Sequence, residues 1–197
     1  SDGFEAFSYL MKNRSKYFSL RDMQLIGIEL PVYLSLDPKN ENVKFSAFLD
    51  LVFYDKSDKT YLILDLKTSR KGWSKWDKEN KLKLNQVVAY KKYFSQQYGV
   101  PEAAINVQFM ILRQQIDPDS MWPQKRVQEV KPTSGPRIIK ALDEDIKQFI
   151  SSCFIDNDYV QDVKLFPPIA GKGQWNCKFC PYKDMHDFCN PEQRICE

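Results

Sequence analysis

Two acids and a lysine, Asp50 in FLDLVF and Asp65 and Lys67 in ILDLKTS, are the residues of this chain best suited to chemistry. Carboxylate oxygens bind hard divalent cations such as Mg²⁺ or Mn²⁺. A lysine two residues after an acid on a strand points to the same side as that acid. Such a set suits hydrolysis of a phosphate ester: the acids hold the ion, and the lysine orients the attacking water or stabilises charge developing on phosphate. Glu29 is a third candidate acid, joined to the others through the strand register below. A second constellation is Cys177-x2-Cys180-x8-Cys189-x6-Cys196, which encloses His186, the single histidine. One histidine excludes a multi-histidine metal centre, and any Ser or Cys hydrolase would have to recruit His186 as its base.

The elements that must position these groups are legible from periodicity. Residues 4–20 carry Phe4, Phe7, Leu10, Met11 and Phe18 at helical spacing. From Ile26 to Leu36 the even positions are all apolar, which predicts a strand, and Pro31 within it predicts an edge position or a bulge. Val43–Tyr54 alternates with apolar odd positions, and a turn at Lys56–Lys59 leads to the strand Tyr61–Lys67. If that turn is symmetric, Asp50 lies opposite Asp65, with Leu49, Leu51 and Phe53 facing Leu66, Leu64 and Leu62 on the other side. Pairing Leu36 with Val43 across the DPKNEN turn places Glu29 opposite Asp50. Three carboxylates then lie in a row, with Cβ atoms ~4.5–5.5 Å apart, where like charges repel unless a cation sits among them. A helix over 81–98 follows, then strands at 106–113 and near 125–130 and a helix over 136–152. The expected fold is α/β, a central mixed β-sheet flanked by helices (residues 1–165), with a Cys-rich, metal-stapled appendage at 166–197 packed on it.

Taken in order, Glu29-Leu-Pro, FLDLVF, ILDLKTS and QVVAY resemble the PD-(D/E)XK nuclease superfamily, and more closely its RecB-like exonuclease branch of phage recombination and CRISPR-associated nucleases. The likeness covers about residues 26–94. It implies a restriction-endonuclease-like core and a catalytic Mg²⁺ or Mn²⁺ held by Asp50, Asp65 and the Leu66 carbonyl, with Glu29 as a further acidic ligand. Lys67 would be the catalytic lysine. Gln86 and Tyr90, which share a helix face at i and i+4, would lie near the scissile strand. Many relatives supply a histidine from the first helix; this chain has none there, so Glu29 must serve instead. The implied activity is metal-dependent DNA hydrolysis in recombination, repair or replication. The implied partner is DNA, as single strand or duplex end, and any recombination or helicase partner stays unidentified. The alternative is a non-catalytic nucleic-acid-binding module with a structural metal site.

Between Lys67 and Lys83, seven basic residues stand against two acidic ones, with Trp73 and Trp76 interleaved. Arg70, Lys71 and Lys75 can neutralise phosphates and exposed tryptophans can stack on bases; the other reading is a solvated loop whose tryptophans cap the core. Arg113, at the end of a strand, is a further phosphate candidate. For the cysteines two ligand sets compete: Cys177, Cys180, Cys189 and His186 for zinc, or the same thiols with Cys196 for zinc or a [4Fe–4S] cluster. RecB-like relatives often place a fourth cluster cysteine far upstream, but no cysteine precedes Cys153 here.

The remaining composition narrows the field. At 43% apolar and 28% charged the chain is globular rather than disordered, and 7 glycines in 197 residues argue against a glycine-rich dinucleotide or repeat architecture. The net charge of +3 is too small to indicate nucleic acid by itself. No run reaches the ~18 apolar residues of a membrane span, and SDGFEAF is not a signal peptide. A cytoplasmic protein without membrane association, in a reducing compartment, is expected.

Overall fold

A computed structural model describes residues 2–18, 22–38, 40–117, 119–155, 158–159, 168–187 and 189–195. The expected first helix is broken in two: α1 (Asp2–Lys12) and α2 (Arg14–Phe18). Asn13 makes the break, its side-chain amide donating to the Tyr9 carbonyl at 2.8 Å, a local bond that competes with helix continuation. Strands β1 (Met23–Asp37), β2 (Asn40–Asp55) and β3 (Thr60–Ser69) follow as an antiparallel meander. The loop expected after β3 contains a short helix, α3 (Lys75–Glu79), begun by a Ser74–Asp77 capping box. Next comes α4 (Lys81–Tyr98), capped by Asn80 and ended by Gly99 at φ +65°. Strand β4 (Ile105–Arg113) runs parallel to β3, and β5 (Val127–Val130) runs antiparallel to β4. The result is a mixed five-stranded sheet in the order β1-β2-β3-β4-β5. Helix α5 (Pro136–Cys153) leads to a small hairpin of β6 (Phe154–Ile155) and β7 (Asp158–Tyr159).

By contact density the chain separates into two compact units, Ser1–Lys147 and Gln148–Glu197. The boundary expected at 165/166 lies outside the described residues. In the first unit, one core joins the sheet to α4 through Val52, Ile63, Val87, Val88, Phe94, Phe109 and Ile111. On the other face Phe53, Leu64, Met110 and Val127 pack against Tyr9, Leu10, Tyr17 and Phe18 of the first two helices. Pro31 sits on the edge strand. Its carbonyl accepts from Gln97 Nε2 (3.1 Å) and Tyr98 Oη (3.0 Å), and the Tyr33 N–H donates to Gln97 Oε1 at 2.6 Å. Helix α4 thus occupies groups that would otherwise invite another strand.

The β1–β2 register is the expected one, with Ile28↔Leu51 and Leu30↔Leu49 leaving Glu29 level with Asp50. The expected continuous alternation does not hold. Phe45, Ala47 and Leu49 pack on the α4 side, yet Val52 is the next β2 residue there, while Leu51 and Phe53 join the opposite cluster. Likewise Leu30–Leu36 supply core residues on even positions, whereas Ile26 and Ile28 are exposed. A bulge between Leu25 and Gly27 and the left-handed Glu29, at φ +50°, shift the phase of β1 at this level. The hairpin changes face where Glu29 and Asp50 stand.

Candidate active site

The β2–β3 ladder stops at Leu51↔Leu64, one rung short of Asp50 and Asp65. In place of that rung, the Leu66 N–H donates to Asp50 Oδ2 at 2.6 Å. The strands part here, and the Asp50 carboxylate closes the gap. Asp65 belongs to the α4-facing side of β3, in register with core residue Phe109, and is 1% exposed. Lys67 Nζ lies 2.8 Å from Asp65 Oδ2, at ion-pair distance but outside hydrogen-bond geometry; that oxygen accepts no hydrogen bond among the described residues. Burial drives the Asp65 pKa above the ordinary carboxylate value; Lys67 opposes the shift and Asp50 adds to it.

From α4, Gln86 Nε2 donates to the Tyr90 hydroxyl at 2.7 Å, so these two meet as their spacing predicts. Burial raises the Tyr90 pKa, the Gln86 bond opposes, and Asp65, Lys67 and Asp50 all act on the phenol electrostatically. Tyr90 therefore looks onto the two acids and the lysine. Glu29 stands at the same level of the sheet but is exposed, and its left-handed backbone is of the kind that costs about 1–3 kcal/mol. Its carboxylate does not complete a three-acid cluster. Among the described residues no three His, Cys, Asp or Glu side chains converge as a metal-holding group.

A divalent cation fits the remainder. Asp65 Oδ2 is buried with the Lys67 ammonium as its ion-pair partner and lies close enough to Asp50 to feel its charge, and two carboxylates so placed suit a hard cation. The Leu66 peptide, fixed by Asp50, is placed next to that oxygen in the chain.

The basic loop after β3 is built rigidly. Ser69 Oγ donates to the Gly72 carbonyl (3.0 Å) and accepts from the Gly72 N–H (3.1 Å), and Gln128 bonds both the N–H (2.8 Å) and the carbonyl (3.1 Å) of Trp73. Gln128 escaped the sequence reading, because nothing in VQEV marks a glutamine as the clamp of a distant loop. The Trp73 ring packs on Phe109 with centroids 4.8 Å apart, and Lys83 Nζ lies over it at 5.4 Å. This corrects the expectation that Trp73 offers a free stacking face: the ring is committed to the core. Trp76 on α3 is 83% exposed. Several basic groups of the run are already paired: Lys75 with Glu79, Lys81 with Asp145, and Lys83 with Asp77. Arg70 Nε donates to the neutral Gln115 Oε1 at 2.8 Å and so keeps its charge unneutralised there. Lys71 has no ion-pair partner among the described residues, and Arg113 Nε is buried with no hydrogen bond.

In the second unit, Cys177, Cys180 and Cys189 are free thiols that line one cavity of about 440 Å³ with Tyr182 and Arg194. Arg194 Nε donates to Cys189 Sγ at 3.4 Å, and among the described residues the three thiols do not converge as a metal-holding group. His186 is exposed and does not line this cavity. Cys196 lies outside the described residues.

A family model described as the PD-(D/E)XK nuclease superfamily matches residues 5–185. No curated protein matches the sequence. No helix among the described residues is long and apolar enough to cross a membrane. With an Asp50–Asp65–Lys67 centre at the parting of two strands of a mixed sheet, and a match across most of its length, this chain belongs to the PD-(D/E)XK superfamily of nucleases, hydrolases of phosphodiester bonds.

Proposed function

We propose that the protein is a Mg²⁺- or Mn²⁺-dependent deoxyribonuclease of the RecB-like exonuclease branch, acting on DNA in recombination, repair or replication, as phage enzymes of that branch do. The observation that carries this reading is the buried Asp65, ion-paired with Lys67 and close enough to Asp50 to feel its charge. Asp50, Asp65 and the Leu66 carbonyl would hold the cation, with Glu29 reaching it through water. The bound ion supplies Lewis-acid polarisation of the phosphoryl group. Lys67, its side chain about one-third exposed, orients the attacking water and offsets negative charge gathering on phosphate. Tyr90, held by Gln86, lines the approach from α4 and limits water around the acids. Trp76, Arg70 and Lys71 lie on the loop after Lys67 and guide the strand. In the tail, Cys177, Cys180 and Cys189 are read as thiolate ligands of zinc or a [4Fe–4S] cluster. The fourth donor would be His186, which lies outside that cavity, or Cys196. The expected location is the cytoplasm, where thiols stay reduced.

The deciding experiment is digestion of end-labelled single- and double-stranded DNA with Mg²⁺ or Mn²⁺, with and without EDTA. Cleavage that EDTA abolishes and Asp65→Asn eliminates supports the assignment. DNA binding with no cleavage under any divalent cation would replace it with the non-catalytic binding module.

A further inference from the structure

Beyond Arg113, residues 119–128 form a feature that the proposed chemistry does not use. Ser120 Oγ donates to the Trp122 carbonyl at 2.9 Å, and the Ser120 N–H reaches the Asp117 carbonyl, so a tight turn presents Trp122. Trp122 is 76% exposed, and its ring makes no ring contact among the described residues. An indole exposed in this way offers an open π-face on which a base can stack. Trp122 lines an open cleft of about 670 Å³ with Arg113, Ser120, Lys125, Gln128 and Glu129.

The floor of the cleft is basic and pre-set. Arg113 Nε is buried and unbonded, although a buried donor without an acceptor is costly. Its position depends on Gly72: a Cβ there would come within 2.5 Å of Arg113 Nε, and φ of +90° suits glycine alone. Lys125 is exposed, with no ion pair among the described residues. The one carboxylate in the lining, Glu129, acts on Tyr17, whose pKa burial, the Tyr9 bond and these charges push up to about 12. Two cations against one carboxylate, beside an exposed indole, match a phosphate with its neighbouring base.

The cleft also has a definite place relative to the acids. Arg113 pairs with Ser69 in the β3–β4 ladder, two rungs beyond Lys67↔Ile111, and shares the face of Lys67. It therefore lies about 7 Å further along the strand direction, at the carboxyl ends of two parallel strands, where sheets of this kind bind ligands. We propose that this cleft is a nucleotide subsite for the strand flanking the cut: Arg113 and Lys125 take a phosphate, and Trp122 stacks on the adjoining base. This rests on the nuclease reading for its orientation to the acids, and not for the binding itself.

The test uses fluorescence anisotropy of a fluorescein-labelled single-stranded oligonucleotide in EDTA, where no cleavage intervenes. Trp122→Ala should weaken binding about 5- to 100-fold and Trp122→Phe should restore most of it. Lys125→Gln, at an exposed position, and Arg113→Gln should each flatten the salt slope by about 0.7, whereas Trp122→Ala leaves the slope unchanged. A loss confined to 5′-phosphorylated oligonucleotides identifies a terminal phosphate, and an equal loss with 5′-hydroxyl ends identifies an internal phosphodiester; both support the subsite. Wild-type affinity in both Trp122→Ala and Lys125→Gln overturns it. If those variants keep full affinity while the wild type cleaves DNA, the subsite falls and the nuclease stands. If they lose affinity in a protein that never cleaves, the nuclease falls and the subsite stands.

Discussion

Asp65 illustrates how far a single residue can be held from its most stable state. It is buried, with Lys67 as its ion-pair partner, and burial raises its pKa despite that partner, so the fold disfavours its charge. Isosteric neutralisation should preserve the fold while removing the chemistry. Asp65→Asn and Lys67→Ala are each expected to lower cleavage by at least about 100-fold, since each removes a group acting directly on ion or water. Binding of DNA, measured by anisotropy in EDTA, should stay within a few-fold of wild type, because Trp76 and the basic loop are untouched. Cleavage at wild-type rates in either variant would remove the site assignment.

At the scale of elements, the loop after β3 divides its two tryptophans between packing and solvent. Trp73 lies against Phe109 under Lys83, while Trp76 projects from α3. Trp73→Ala should destabilise the fold by about 2 kcal/mol in urea denaturation, less than a fully buried aromatic would cost. Trp76→Ala should leave stability unchanged and weaken single-strand binding by about 1–3 kcal/mol. The reverse pattern would mean that the loop is turned the other way. Helix α4 carries a different strain in Lys91, buried beside Ser134 Oγ at 3.4 Å. Burial lowers its pKa from the ordinary 10.5, and Glu102 only partly offsets this. The unfolded chain therefore binds that proton more readily than the folded one, and stability rises with pH between the lowered value and 10.5. Lys91→Met should accordingly melt above wild type at pH 7, with the gap shrinking as pH approaches 10.5. A gap independent of pH would show that packing, not charge, separates the two proteins.

At the scale of the molecule, the second unit is short, and its described residues from 168 onward form turns rather than a sheet or long helix. A segment so poor in regular structure gains much of its folding free energy from a bound metal when it has one. Purified protein should contain about one zinc per chain, or iron with absorbance near ~400 nm, in addition to any ion at the acids. Cys177→Ser should release it and destabilise residues 148–197, read out by limited proteolysis, while Asp50 and Asp65 keep their places. Elemental analysis without metal, together with freely titratable Cys177, Cys180 and Cys189 in the native protein, would end the metal reading.

The sequence by itself determined what is local. Alternation and turn residues placed the strands and α4, the tight Lys56–Lys59 turn set the β2–β3 register, and the two-residue step from Asp65 to Lys67 put both on one face. The i, i+4 spacing brought Gln86 to Tyr90. Tertiary structure decided what depends on distant partners. The face change at Glu29 and Asp50 follows from a bulge and a left-handed residue, which alternation counts cannot register. Trp73 was assigned to the core by Phe109 and Gln128, 36 and 55 residues away in the chain. Asp50 found the Leu66 N–H only because β2 and β3 separate, and the burial that shifts Asp65 comes from β4 beside it in the sheet and α4 packed on that face. Spacing fixes which residues share a face; only packing fixes what that face meets.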